Sequence, residues 1–190
     1  MATATAPALA EGRGANLAHA RTAAPYENWR PPVIGVSLIV PVGAEALVIA
    51  DLLGTAMVPS GSVLSGETPE EAALNVLSDA TGGLPPLRRV AVACVQMRRR
   101  KVITYVLATA SITHESVGRL IYRDPRADIR VMPTIRAIDS LPVPGRLRVV
   151  VGLQALATGE IAYIGSDHIS PMHLVLGDSA ITEKRGQPAP

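Results

Sequence analysis

The sequence predicts an α/β domain, and three observations carry that reading. Apolar, β-branched runs of strand length occur in two groups, Val33 to Leu53 and Leu87 to Ile112. A segment with a full set of helix-start signals lies between them. A later segment, Gly145 to Glu160, carries apolar residues at helical spacing. Strands that alternate with helical patterns are the mark of α/β architecture.

The elements follow in order. Residues 1–31 show no clean period and read as a flexible arm, with Tyr26 and Trp29 placed to dock it onto the domain by ordinary packing. "VIGVSLIV" is a strand buried on both faces or nearly so. "PVGAE" supplies turn residues and "ALVIADLL" a second strand, so the pair reads as a hairpin. An extended piece around Thr55 to Val58 leads to the Gly- and Ser-rich loop "PSGSVLSGE" and then to the first helix. "LRRVAVACVQM" and "KVITYVLATASI" form a second hairpin with the charged tip "RRRK", Arg98 to Lys101. A phosphate clamp is one reading of that tip. A solvated turn is the preferred reading, because clustered charge at a hairpin end discourages edge-to-edge pairing. His114 to Arg126 is a mixed loop, "DIRVMPTI" a strand and "AIDSLP" a helical turn stopped by Pro142. In "GRLRVVVGLQALATGE", Leu147, Val150, Val151, Leu153 and Leu156 make a helix that packs on the sheet, although the valine run also suits a strand.

Composition narrows the function. The 190 residues suit one domain with extensions, and 48 % of them are apolar. Aromatics amount to 3 % and Phe is absent, which argues against stacking on single-stranded nucleic acid. A net charge of +2, from 18 basic and 16 acidic residues, is no electrostatic footprint for a nucleic-acid partner. Cys94 is the only cysteine, so no internal disulfide and no cysteine cluster for zinc can form, and its apolar setting reads as a buried, inert thiol. No apolar run reaches the roughly 18 residues of a membrane span, and the first residues lack a basic n-region and an apolar h-region. The expectation is a cytoplasmic protein with no membrane and no nucleic-acid partner.

The chemistry concentrates in "GSVLSGETPEEAALNVLSDATGG", Gly61 to Gly83. Thr68 caps the helix, Pro69 fits its first position, and Glu71 completes a capping box. Ala72, Ala73, Leu74, Val76, Leu77 and Ala80 then give it apolar surface, with Gly82 and Gly83 as its stop. The preceding glycines and serines let backbone N–H groups approach an anion near a helix start, although most such loops are turns. Five residues separate Gly61 from Glu67, seven separate Glu67 from Asn75, and a glycine stands at position 82.

This spacing resembles the Nudix box, G-x5-E-x7-R-E-U-x-E-E-x-G-U, in which U is a bulky aliphatic residue. The resemblance covers residues 32–160 and implies a Nudix-type α/β/α sandwich around a mixed β-sheet, with residues 161–190 as an extension that frays at its end. It also implies a hydrolase of diphosphate compounds that uses Mg²⁺ or Mn²⁺, with Gly61 and Ser62 in a loop that faces the substrate phosphates. Gly61, Glu67 and Gly82 match the box. The family arginine becomes Asn75, and its glutamates become Val76, Asp79 and Ala80. Gly83 stands at the last aliphatic position. On a continuous helix, positions 76 and 80 share one face, and valine and alanine there offer a cation no lone pairs. No metal site is therefore expected. Glu67 and Asp79 are the remnant acids, read either as catalytic survivors or as parts of a solvated helix end.

Three functions remain open. One is a Nudix-like protein that binds a nucleoside-diphosphate-linked or other diphosphate-containing metabolite, with hydrolysis weak or lost. Another is an active hydrolase whose acids come from outside the box, with Glu115, Asp124 and Asp128 as the candidates. The third is a non-catalytic scaffold or regulatory protein. His114, His168 and His173 lack the helix-face spacing of metal ligands. Dimers are common among relatives, so a homodimer is also open.

Overall fold

The computed structural model describes residues 30–80, 83–165 and 169–172. The arm with Tyr26 and Trp29, together with Gly82, His168 and His173, lies outside the described residues.

A six-stranded mixed sheet organises the fold. Its strands are β1 (Val33–Ile39), β5 (Ser60–Ser62), β7 (Arg88–Met97), β8 (Arg100–Ala108), β11 (Ile161–Ile164) and β12 (Ile169–Met172), in the spatial order β12-β11-β7-β8-β1-β5. The β1/β8 and β11/β7 pairs are parallel, and the other pairs are antiparallel. The β7–β8 hairpin forms as expected, with Met97 opposite Arg100 and the charged residues at its tip. The strand from Ile161, in the segment expected as an extension, joins this sheet beside β7.

A smaller antiparallel sheet holds β2 (Pro41–Val42), β3 (Ala46–Leu52), β4 (Thr55–Met57) and β10 (Ala127–Pro133). The first expected hairpin is corrected here. β1 does not pair with β3 but with β8 and β5, and the chain enters the second sheet only at β2. The sequence run from Val33 to Val42 was long enough for one strand, but its two ends serve different sheets.

Helices cover both faces. On one side, α1 (Pro69–Val76) packs through Ala72, Ala73 and Val76 onto Val36, Leu38 and Leu107. On the other, α4 (Val143–Thr158) sets Val149, Val151 and Ala155 against Ile39, Val90, Val106 and Ile164. Its valines form a helix, closed by Gly159 at φ +82°, because the i, i+3/i+4 stripe finds a sheet to cover. α3 (Thr134–Ser140) packs beside α4 and β3. The alternation along β1 assigns faces: Val36, Leu38 and Val40 point towards α1, whereas Ser37 and Ile39 point towards α4. Among the described residues no helix is long and apolar enough to cross a membrane.

Two local expectations change. The helix after Thr68 stops at Val76, six residues before the glycines read as its terminus. Leu77–Asp79 forms a strand, β6, paired with β9 (Leu120–Tyr122). Asn75, Val76, Ser78 and Asp79 explain the early stop. β-branched and short polar side chains lower helix stability, the last turn carries no basic residue to complement the helix dipole, and β9 offers a ladder instead. The region from His114 to Arg126, expected as loop, holds the turn α2 (His114–Val117) and this strand.

Candidate functional site

The site is organised by the contact between α1 and β5. Gly61 and Ser62, expected in a loop, lie in β5, where Gly61 pairs with Val36 and Ser62 with Gly35. Alternation sends their side-chain positions to opposite faces. On the α1 face a Cβ at Gly61 would stand 2.3 Å from Cγ2 of Val76. Glycine is therefore required here by close packing of helix on strand, and the space in front of it is filled by a valine that is 1 % exposed. On the α4 face Ser62 is exposed.

The acids of the stretch are all engaged. Glu67 closes its own loop: Oε2 accepts from Leu64 N–H at 2.8 Å and Oε1 from Asn75 Nδ2 at 2.6 Å. Glu70 forms a two-point pair with Arg89 at 2.6 and 2.9 Å, which holds its carboxyl below the usual range. Glu71 completes the expected capping box, and hydrogen bonds from the Thr68 backbone and hydroxyl lower its pKa. Asp79 sits on β6 with 7 % of its side chain exposed, paired with Arg119 at 3.5 Å. Ala80 is exposed beyond the helix end, and its N–H donates to the Arg119 carbonyl. Positions 76 and 80 therefore do not share a helix face: one is buried on α1, the other follows β6.

The acids weighed from outside the box do not converge on Val76 either. Glu115 is exposed on α2 and Asp128 is exposed on β10. Asp124 is bound at 2.7 and 2.9 Å by Arg126, whose hydrogen bonds hold its pKa at about 2. Among the described residues no group of three His, Cys, Asp or Glu is placed to hold a metal ion. Mg²⁺ needs several oxygens in near-octahedral array, and the donor set around Val76 does not fit it. Cys94, expected buried, is only partly so.

Beside β5 runs an open groove of about 650 Å³, lined by Met57, Ser60, Ser62, Leu64, Arg123 and Asp124 among others. Tyr122 closes one wall. Its hydroxyl donates to the Ser60 carbonyl at 3.1 Å and accepts from Ser60 N–H at 3.4 Å, which satisfies a strand edge that has no further ladder. Arg123 is exposed and has no ion-pair partner among the described residues. Neither Tyr122 nor Arg123 stood out in the sequence, because "IYRDPR" carries no motif and becomes a wall only through the β6/β9 pairing.

In sequence, the chain matches no family model and no curated protein. Its architecture does find matches. The NUDIX domain of Shewanella oneidensis NrtR, solved with ADP ribose, superposes with a TM-score of 0.54 at 12 % identity, over 68 % of this chain and 92 % of that one. The chain has the Nudix fold. A NUDIX hydrolase from Nitrosomonas europaea superposes with a TM-score of 0.51 at 11 % identity, over 72 % of this chain and 79 % of that one. Within the Nudix fold of this protein, the helix that follows Gly61 is two turns long and presents hydrocarbon to β5.

Proposed function

We propose that this Nudix-fold protein binds a diphosphate-containing metabolite, of the nucleoside-diphosphate-linked class, in the groove along β5 and hydrolyses it weakly or not at all. The observation that carries the second half is the packing of Val76 on Gly61. A carboxylate at that position would have to displace a core side chain, and the remaining acids are tied to Arg119, Asn75 and Leu64. Without a Lewis acid or an activated water, several kcal/mol of transition-state stabilisation are lost. That predicts turnover lower by at least about three orders of magnitude than with an intact box.

Binding is supported by the groove itself. The Ser62 hydroxyl and the Arg123 guanidinium are donors suited to phosphate oxygens, and Met57, Leu52 and Leu64 offer apolar contact to the rest of a ligand. A protein of the same fold was solved with ADP ribose, which makes that compound the first to try. Purified protein would be incubated with ADP-ribose and a panel of nucleoside diphosphate derivatives, with Mg²⁺ or Mn²⁺, while product release and melting temperature are followed. A ligand-dependent rise in melting temperature with negligible turnover is the expected outcome. Ordinary turnover abolished by Glu67→Gln would overturn the impairment, and no melting shift with any compound would favour the scaffold reading.

A further inference from the structure

Arg148, on the second turn of α4, is the least compensated cation among the described residues. Burial lowers its pKa, and no carboxylate of the described residues pairs with it. Two of the five N–H groups that a guanidinium carries are spent on neutral acceptors. Nε donates to the Pro144 carbonyl at 3.0 Å and Nη1 to Ser37 Oγ at 2.8 Å. The other N–H groups have no acceptor among the described residues. The bond from Arg148 also fixes the hydroxyls behind it. Because Ser37 accepts from the arginine, its own proton is free for Ser60 Oγ at 3.1 Å, and Ser60 donates onward to the Val58 carbonyl at 2.7 Å. The chain of donors leads away from the guanidinium and offers it only neutral oxygens, with no carboxylate among them.

The sheet beneath is made of short side chains. Ser37 and Ser60 face each other, and one step along the same face Gly35 is opposite Ser62. Over Gly35 the only atom of another described residue within 4 Å of a Cβ position is the Gly61 carbonyl oxygen, at 3.1 Å. Next to Arg148 in the chain, Val149 of α4 packs with Ile39 and Val106 of the sheet in one buried apolar cluster. The apolar packing thus gives way, beside Arg148, to a shelf of glycine and serine on the sheet. Ser62, at its outer end, is exposed and also lines the groove.

We propose that Arg148 and Ser62 form an anion site on this shelf, which takes a phosphoryl group of the ligand through the unused guanidinium N–H groups and the Ser62 hydroxyl. Ser37 is a positioning residue: it holds the guanidinium over the shelf and does not touch the anion. The proposal rests on the reading of the groove as a diphosphate site, but it names a contact that can fail separately from it. Guanidinium suits this role because its planar fork matches phosphate oxygens and it stays charged when half-buried.

The test uses the full chain with inorganic pyrophosphate and with ADP-ribose, read by calorimetry and by melting temperature. Arg148→Gln is expected to weaken pyrophosphate binding by about tenfold or more, the loss typical of a charge-assisted bond pair, and to melt no lower than the wild type without ligand. Ser62→Asp leaves the arginine in place and gives it a carboxylate. It is expected to raise the ligand-free melting temperature and to block pyrophosphate. Ser62 is exposed, so this variant remains informative if Arg148→Gln does not fold. Ser37→Ala is expected to weaken binding less than Arg148→Gln, with Arg148→Lys intermediate. Pyrophosphate binding unchanged in Ser62→Asp or in a folded Arg148→Gln would overturn the proposal. Wild-type binding of pyrophosphate without ADP-ribose would leave the anion site standing and sink the nucleotide reading. Wild-type binding of ADP-ribose that ignores both substitutions would do the reverse, and binding of neither compound would sink both.

Discussion

Val76 decides the chemistry at the scale of a single residue. It is 1 % exposed and its Cγ2 lies against Gly61, so Val76→Glu would bury a carboxylate against Gly61 and the core of Val36 and Leu107. An unpaired buried charge of this kind destabilises by about 3 kcal/mol or more. We expect denaturant midpoints to fall accordingly, with no gain in Mg²⁺ affinity even when Ala80→Glu is added, since position 80 lies past the helix end. Asp124 illustrates the opposite case. Its pKa is depressed from 3.8 to about 2 by Arg126, so its contribution to stability is complete above the ordinary value and disappears as pH falls through about 2. It is a carboxylate at any working pH and a poor proton carrier near neutrality. An NMR titration should place its midpoint well below the ordinary aspartate range. Leu53 is 81 % exposed at φ +53°, a conformation that costs a leucine about 1 kcal/mol or more. Leu53→Gly should therefore stabilise the β3–β4 turn by a few tenths to about 1 kcal/mol in a thermal melt.

At the level of elements, α1 is short and depends on its first turn. Thr68→Ala removes the hydroxyl that accepts from Glu71 N–H at 3.2 Å, and a loss of about 1 kcal/mol is expected by chemical denaturation. The seam between α1 and β5 is testable as a pair. Gly61→Ala would force a methyl to within 2.3 Å of Val76, an overpacking that costs about 1–3 kcal/mol. Val76→Ala costs stability alone but should recover much of that loss in the double variant, a coupling that a double-mutant cycle reads directly. The β6/β9 ladder was hidden from the sequence because Leu77–Asp79 and Leu120–Tyr122 are each only three residues long. Neither run is long enough to show a period, and each becomes a strand only because the other lies beside it.

For the whole molecule, the sequence by itself determined the fold class, the capped start of α1, the β7–β8 hairpin and the helix over "RLRVVVGLQALAT". These depend on local signals: caps, charged turns and periodic apolar stripes that a chain carries with it. The box spacing led from there to the sandwich, which the architecture bears out. Which strands pair, where α1 ends and what lies against Gly61 were settled in tertiary structure alone, because each depends on partners tens of residues away. β1 lies beside β8, almost seventy positions on, and Arg148 reaches Ser37 across 111. Contacts at that separation are fixed by the packing of finished elements, and no window of sequence contains both sides of them.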